Sequence, residues 1–168
     1  MFDGFSGYAV ELGCGSGIDT IKLAECGWNV YAVDSTPDGF HNIVSKLPEE
    51  AEKRVECVQA SFETMAIPEA DLIYSVFSVP FCKPEHFHVF WQNIVTAIKP
   101  GGRFVGNLFG VRDEWAYMTD VTFHEKEEIN DLFKDFEIEH FREQLSEGPS
   151  VLVPTKFWHL FDLVARKK

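Results

Sequence analysis

Apolar positions along the chain alternate between two kinds of run. Short apolar stretches are followed by longer ones in which apolar residues return every three or four positions. Tyr8-Ala9-Val10-Glu11-Leu12 reads as a first strand, and Ile18, Ile21 and Leu23 as a helix stopped at Gly27. Asn29–Val33 predicts a second strand ending at Asp34, and the helix opening near Pro37 is expected to place Phe40, Ile43, Val44 and Leu47 on one face. Val55–Val58 and Asp71–Val76 predict strands three and four. From Pro84, the positions Phe87, Phe90, Trp91, Ile94, Val95 and Ile98 form a core-facing helical stripe, ended by Pro100-Gly101-Gly102. Arg103–Leu108 predicts strand five. Thr122 and Glu125 read as a capping box before a helix burying Ile129, Leu132, Phe133 and Phe136. Two late strands, about 137–144 and 156–165, flank an expected hairpin loop over 147–154. This alternation predicts an α/β fold, a mostly parallel sheet with helices on both faces.

The length of 168 residues suits a single domain spanning the chain. Sixteen phenylalanines predict a core or pocket rich in aromatic surface. The formal net charge of −12 argues against a polyanionic partner, so no nucleic acid is expected. The only cluster of cations, Arg166-Lys167-Lys168, reads as a solvated tail. Cys14, Cys26, Cys57 and Cys82 form no CxxC pair and no His completes a zinc site, so reduced thiols and no metal are expected. No signal peptide or membrane-length apolar run appears, which makes a cytoplasmic protein without a membrane partner the expectation.

The strongest chemical signal is Glu11-Leu12-Gly13-Cys14-Gly15-Ser16-Gly17 at a strand-to-helix junction. Glycines there allow a tight turn and close approach of a ligand, and the following helix brings backbone N–H groups. A dinucleotide fingerprint would place its third glycine one residue later than Gly17, and Glu11 would sit awkwardly beside a pyrophosphate. It is tolerable beside a cationic sulfonium. Both features point away from a nicotinamide oxidoreductase. Asp34, 19 residues after Gly15, stands at about the spacing of an acid that binds ribose hydroxyls.

In these residues the chain resembles the class I S-adenosylmethionine-dependent methyltransferases, and within them it looks closest to the small bacterial tellurite-resistance (TehB-like) kind. The likeness extends to Asp71–Ser75, to the Lys99-Pro100-Gly101-Gly102 turn and to Ala165-Arg166-Lys167. It implies a Rossmann-like three-layer sandwich: a seven-stranded, mostly parallel sheet with an antiparallel last strand. It implies S-adenosylmethionine as cofactor, with Glu11, Gly13, Cys14, Gly15 and Gly17 about the methionine moiety, Asp34 and Ser35 at the ribose, Ser61 and Phe62 at the adenine, and Ser75 and Val76 after strand four.

The chain departs from the family in two places. Ser61 stands where many members have an acid, leaving adenine recognition to the Phe62 backbone and stacking, or to Glu63. Only seven residues precede Tyr8, so the usual N-terminal helices are short or missing, through trimming, a truncated gene, or completion by a partner. Methyl transfer needs chiefly alignment and exclusion of water, so no obligatory catalytic signature is expected. The run Ser75–Phe81 keeps only Pro80-Phe81 of an amine-binding motif, consistent with a small, partly apolar acceptor or with wall packing. Arg112 and Trp115, in the loop after strand five, are candidate acceptor contacts, against a plainer reading as an Arg112–Asp113 surface pair and a packing anchor. His159 is a speculative base among six histidines, including His86, His88 and His124. The acceptor stays open, as does a homodimer. The competing reading is a catalytically incomplete cofactor-binding subunit that needs a partner chain.

Overall fold

The computed structural model describes residues 6–150 and 153–168. Its strands are β1 (Tyr8–Leu12), β2 (Asn29–Asp34), β3 (Val55–Gln59), β4 (Ala70–Ser75), β5 (Ile98–Gly110), β6 (Phe123–His124), β7 (Phe136–Gly148) and β8 (Lys156–Lys167). Its helices are α1 (Ile18–Glu25), α2 (Phe40–Lys46), α3 (Glu49–Glu52), α4 (Pro84–Ala97) and α5 (Lys126–Leu132). One sheet runs β3-β2-β1-β4-β5-β8-β7, with the two-residue β6 added on β5. The sheet therefore has eight strands, the expected seven plus β6. β1, β2, β3, β4 and β5 pair in parallel, while β8 lies antiparallel to both β5 and β7.

Strand alternation decides which helices cover which face. Val10 and Leu12 of β1 pack with Phe90, Trp91 and Ile94 of α4 and Ile129 of α5. Ala9, one position before Val10 and so on the opposite face, packs instead with Leu23 of α1, Ile43 of α2 and Ala51 of α3. Helices thus cover both faces, as the alternating pattern requires. On the α1 side the layer is incomplete: Val105, Asn107, His140 and Asp162 line an open depression of about 380 Å³. Strand order reverses between β1 and β4, and the crevice beyond their carboxyl ends is where ligands enter such sheets.

Several expectations shift. Ile18 and Val44 belong to their helices but are 69% and 48% exposed, because α1 and α2 each bury a narrower stripe than the apolar pattern suggests. The capping residue of α5 is Glu125, whose N–H donates to Glu128 at 2.8 Å. Thr122 instead binds the Cys82 carbonyl through its hydroxyl at 2.6 Å and the Pro80 carbonyl through its amide at 2.8 Å. The terminal cations are no frayed tail: Arg166 pairs with Glu137, and Lys167 Nζ donates to the Val95 carbonyl at 3.2 Å. Of the expected loop over 147–154, residues 151 and 152 lie outside the described residues, and 147–148 continue β7.

A satellite core of Phe109, Trp115, Val121, Trp158 and Leu160 closes the carboxyl edge. The Lys156 ammonium is buried in it, 3.6 Å from the Trp115 ring centroid and 3.8 Å from that of Trp158, and paired with Asp113. Asp113 also accepts the N–H groups of Trp115 and His159 at 2.9 and 3.0 Å. Removing the ammonium strands a buried carboxylate. Lys156→Ala is therefore expected to cost about 3–5 kcal/mol, or roughly 10 °C in melting temperature for a domain of this size. Thermal denaturation measures it, and a loss under about 1 kcal/mol, the scale of an exposed pair, would contradict the assignment.

Candidate active site

The glycine loop is built on three left-handed residues: Gly13, Gly15 and Gly17, with φ of 76°, 50° and 78°. At two of them space is also decisive. A Cβ on Gly13 would stand 1.6 Å from Ser78 Oγ, and one on Gly17 2.0 Å from Ile43 Cγ1. A further glycine, Gly39 at the start of α2, presses on the loop so closely that a Cβ there would meet the Gly15 carbonyl oxygen at 1.6 Å. Asn42 reinforces the contact by donating to the Ser16 carbonyl.

Most loop amides are already spent. Gly13 and Cys14 donate to the Val33 carbonyl at 2.8 and 2.9 Å, and Gly17 to the Cys14 carbonyl at 2.8 Å. Gly15 donates to Asp34 Oδ2 at 2.8 Å. A pyrophosphate nest needs such amides free, and here a carboxylate holds one of them. The geometry disfavours a dinucleotide for that reason. Asp34 Oδ1 accepts the amide and hydroxyl of Thr36 at 3.0 and 3.3 Å. A carboxylate offers about four acceptor positions, so acceptor capacity remains for a ligand hydroxyl.

A cleft of about 290 Å³ opens over this acid, lined by Gly13, Asp34, Ser35, Ala60, Ser61, Phe62, Glu63, Ser78 and Phe81. It brings together the ends of β1, β2 and β3 and the segment after β4. Ser61 and Thr64 share a hydroxyl hydrogen bond of 3.1 Å. The Glu63 carboxyl is held below its usual range by its own backbone N–H and by the Ser61 hydroxyl, with His86 and Lys83 adding to the effect. An ionised carboxylate therefore stands beside Ser61. The Phe62 ring is half-buried: one face lies on Phe90 at 4.7 Å and packs on the main core, while Phe62 also lines the cleft.

Other predicted site residues lie elsewhere. Glu11 is buried and accepts from the Thr20 hydroxyl of α1, behind the loop and outside the cleft lining. Burial pushes its carboxyl up to about 8, with Asp19 and Asp34 adding to the rise and Thr20 opposing it. Cys14 is buried, its thiol pushed up to about 12 by burial. Ser75 is fully buried; it donates to the Leu12 carbonyl at 3.1 Å and accepts the Val79 N–H at 3.2 Å, a tie between β1, β4 and the 3₁₀ turn Val79–Phe81. Val76 lines the open depression on the sheet face, not the cleft.

Arg112 pairs with Glu143 at 2.6 Å rather than with Asp113, and Trp115 packs over Lys156. His159 Nδ1 accepts the Arg112 N–H at 3.1 Å, which leaves the ring proton on Nε2 facing Glu143 at 3.1 Å. Both ring nitrogens of His159 are engaged within the protein, and His159 does not line the cleft. Phe81, half of the Pro80-Phe81 remnant, lines the cleft, and Ser78 and Thr36 join the site without being singled out by the sequence. The signal for Ser78 is its place in the run after strand four; Thr36 has none beyond its nearness to Asp34.

A family model for the methyltransferase domain matches residues 9–102. The chain belongs to this family, as a class I S-adenosylmethionine-dependent methyltransferase domain. TehB from Haemophilus influenzae aligns with 97% of this chain at a TM-score of 0.81 and 19% identity, and the chain spans 58% of its length. The 1,6-didemethyltoxoflavin-N1-methyltransferase of Burkholderia thailandensis, solved with bound 1,6-didemethyltoxoflavin and S-adenosylhomocysteine, gives a TM-score of 0.70 at 20% identity over 98% of this chain and 72% of its own. The N-methyltransferase NodS of Bradyrhizobium japonicum, in complex with S-adenosylhomocysteine, gives 0.67 at 16% identity over 99% and 81%. At such identities the likeness establishes the fold. No curated protein matches the sequence.

Buried Glu11 makes stability depend on pH. Its folded pKa, about 8, lies above the ordinary 4.5, so the unfolded chain releases the proton first. The stabilisation is complete below about pH 4.5 and is lost as pH rises towards 8. Glu11→Gln, which cannot ionise, should flatten the fall in urea midpoint between pH 5 and 8, a difference of a few kcal/mol at the upper end. Parallel pH profiles for the two proteins would show that Glu11 titrates normally.

Proposed function

We propose that the chain binds S-adenosylmethionine in the cleft over Asp34 and transfers its methyl group to a small-molecule acceptor. One observation carries the reading: a single carboxylate is fixed by the glycine-loop amide of Gly15 at 2.8 Å while it lines the cleft. Three features favour a nucleoside-bearing cation over a dinucleotide. Loop amides are spent, an acid stands where phosphate would lie, and a second carboxylate, Glu63, flanks the far end. The cleft volume sits at the lower end of the roughly 300–1,000 Å³ of small-molecule sites.

When bound, S-adenosylmethionine would supply a sulfonium-activated methyl carbon open to attack by an acceptor lone pair, the C–S bonding pair leaving on the thioether sulfur. The protein residues then have three tasks. Asp34 would accept from ribose hydroxyls, its second oxygen held in place by Thr36. Glu63 and the backbone at Ser61–Phe62 would meet the adenine edge. Ser78 and Phe81 would close the cleft from the β4 side and exclude water, leaving alignment as the main source of rate. No base is assigned, since an acceptor that is nucleophilic in its resting state needs none before transfer.

The net charge of −12 supports a small acceptor over nucleic acid. Among the described residues no helix is long and apolar enough to cross a membrane, in keeping with a cytoplasmic setting. Calorimetric titration with S-adenosylmethionine tests the reading. Micromolar binding is expected, weakened roughly 10- to 100-fold in Asp34→Ala, as for loss of hydrogen bonds to a charged group. Failure of the folded wild-type chain to bind would overturn it.

A further inference from the structure

An aromatic ledge continues from the cleft along the carboxyl edge of the sheet. Phe81, 41% exposed, lines the cleft and meets the buried Phe109 edge-on at 5.8 Å. Phe77, 45% exposed, meets the buried Trp158 edge-on at 5.2 Å and stands 6.3 Å from Phe109. Phe109 and Trp158 are thus a shared floor, and two half-solvated rings rise from it. Lys156 beneath Trp158 and its partner Asp113 keep that floor rigid.

Phe77 is out of the ordinary in backbone as well. Among the described residues it alone has positive φ without being glycine, at 53°. This conformation is costly for a bulky side chain, and its N–H is anchored to the buried Asn107 Oδ1 at 2.8 Å. Core burial does not explain it, because nearly half of the residue faces water. Strained residues of this kind concentrate where a ligand is clamped. Two half-exposed rings on one buried aromatic floor, one of them in the cleft lining, point the same way.

The chemistry of the ledge narrows its ligand. A small oxyanion would need a free cation at the ledge. Arg112 and Lys156, on the neighbouring loop and strand, are committed to Glu143 and Asp113. Aromatic rings presenting faces and edges bind flat π systems in offset or edge-on geometry.

We propose that Phe77 and Phe81 form the acceptor-binding ledge and that the acceptor is a flat, largely apolar aromatic or heteroaromatic molecule. This rests on reading the adjoining cleft as the methyl-donor site, and it adds the acceptor class and the residues that select it.

The test uses the full chain, with 2-naphthol and its saturated counterpart decahydro-2-naphthol as probes, titrated with and without S-adenosylhomocysteine. The aromatic probe is expected to bind at least about tenfold tighter than the saturated one. Phe77→Gly should weaken 2-naphthol about tenfold while leaving S-adenosylhomocysteine affinity within about twofold. Glycine suits the left-handed backbone, so this variant removes the ring without adding strain. Phe77→Trp, which keeps an aromatic face, should restore the preference. Equal affinity for the two probes, or naphthol binding unchanged in Phe77→Gly, would overturn the proposal. Ring-dependent naphthol binding in a chain that ignores S-adenosylhomocysteine would sustain the ledge and remove the cofactor reading instead.

Discussion

The site depends on one hydrogen bond, from the Gly15 N–H to the Asp34 carboxylate. It joins the loop after β1 to the end of β2, two segments that become neighbours only because those strands pair in parallel from Tyr8–Asn29 to Leu12–Val33. Gly15, the donor, is itself left-handed, as are Gly13 and Gly17 on either side of it. The bond is kept in register by Val33, whose carbonyl takes the amides of Gly13 and Cys14. Gly39 and Asn42 then seat the start of α2 on the same loop. Sheet pairing, loop conformation and helix packing all converge on the orientation of one carboxylate.

Around that point the protein buries charge under control. Glu11 lies behind the loop with a single hydroxyl donor, and burial holds its proton. Lys156 lies at the other end of the carboxyl edge with Asp113 and two indoles, and its charge is compensated by a carboxylate and by ring faces. Neither lines the cleft. Both stiffen what does: Glu11 through α1 and the loop, Lys156 through Trp158 and the ledge.

Most of the fold was legible in the sequence because period-two and period-three-to-four runs report burial directly. Every predicted strand exists within a few residues, and the α4 stripe from Phe87 to Val95 is buried throughout, while Ile98, expected at its end, opens β5. The loop glycines and Asp34 were legible because turn stereochemistry and sequence spacing constrain them locally. What stayed hidden depends on contacts across the chain. Thr20 meets Glu11 nine positions away, Lys156 meets Asp113 forty-three away, and the Phe62 ring stacks on Phe90. Ser75 ends β4 and Val76 follows it, yet one ties strands together and the other faces an open depression. The Thr122 capping pattern was overridden by the tertiary bond to Cys82.

The most direct measurement of the central claim is amide hydrogen exchange along the whole chain on adding S-adenosylhomocysteine. The account predicts new protection confined to residues 13–17, 34–39 and 60–63 and the segment 78–81, the pieces that meet at the cleft. Protection absent from these segments, or gathered at the open depression near Val105 and His140, would contradict it.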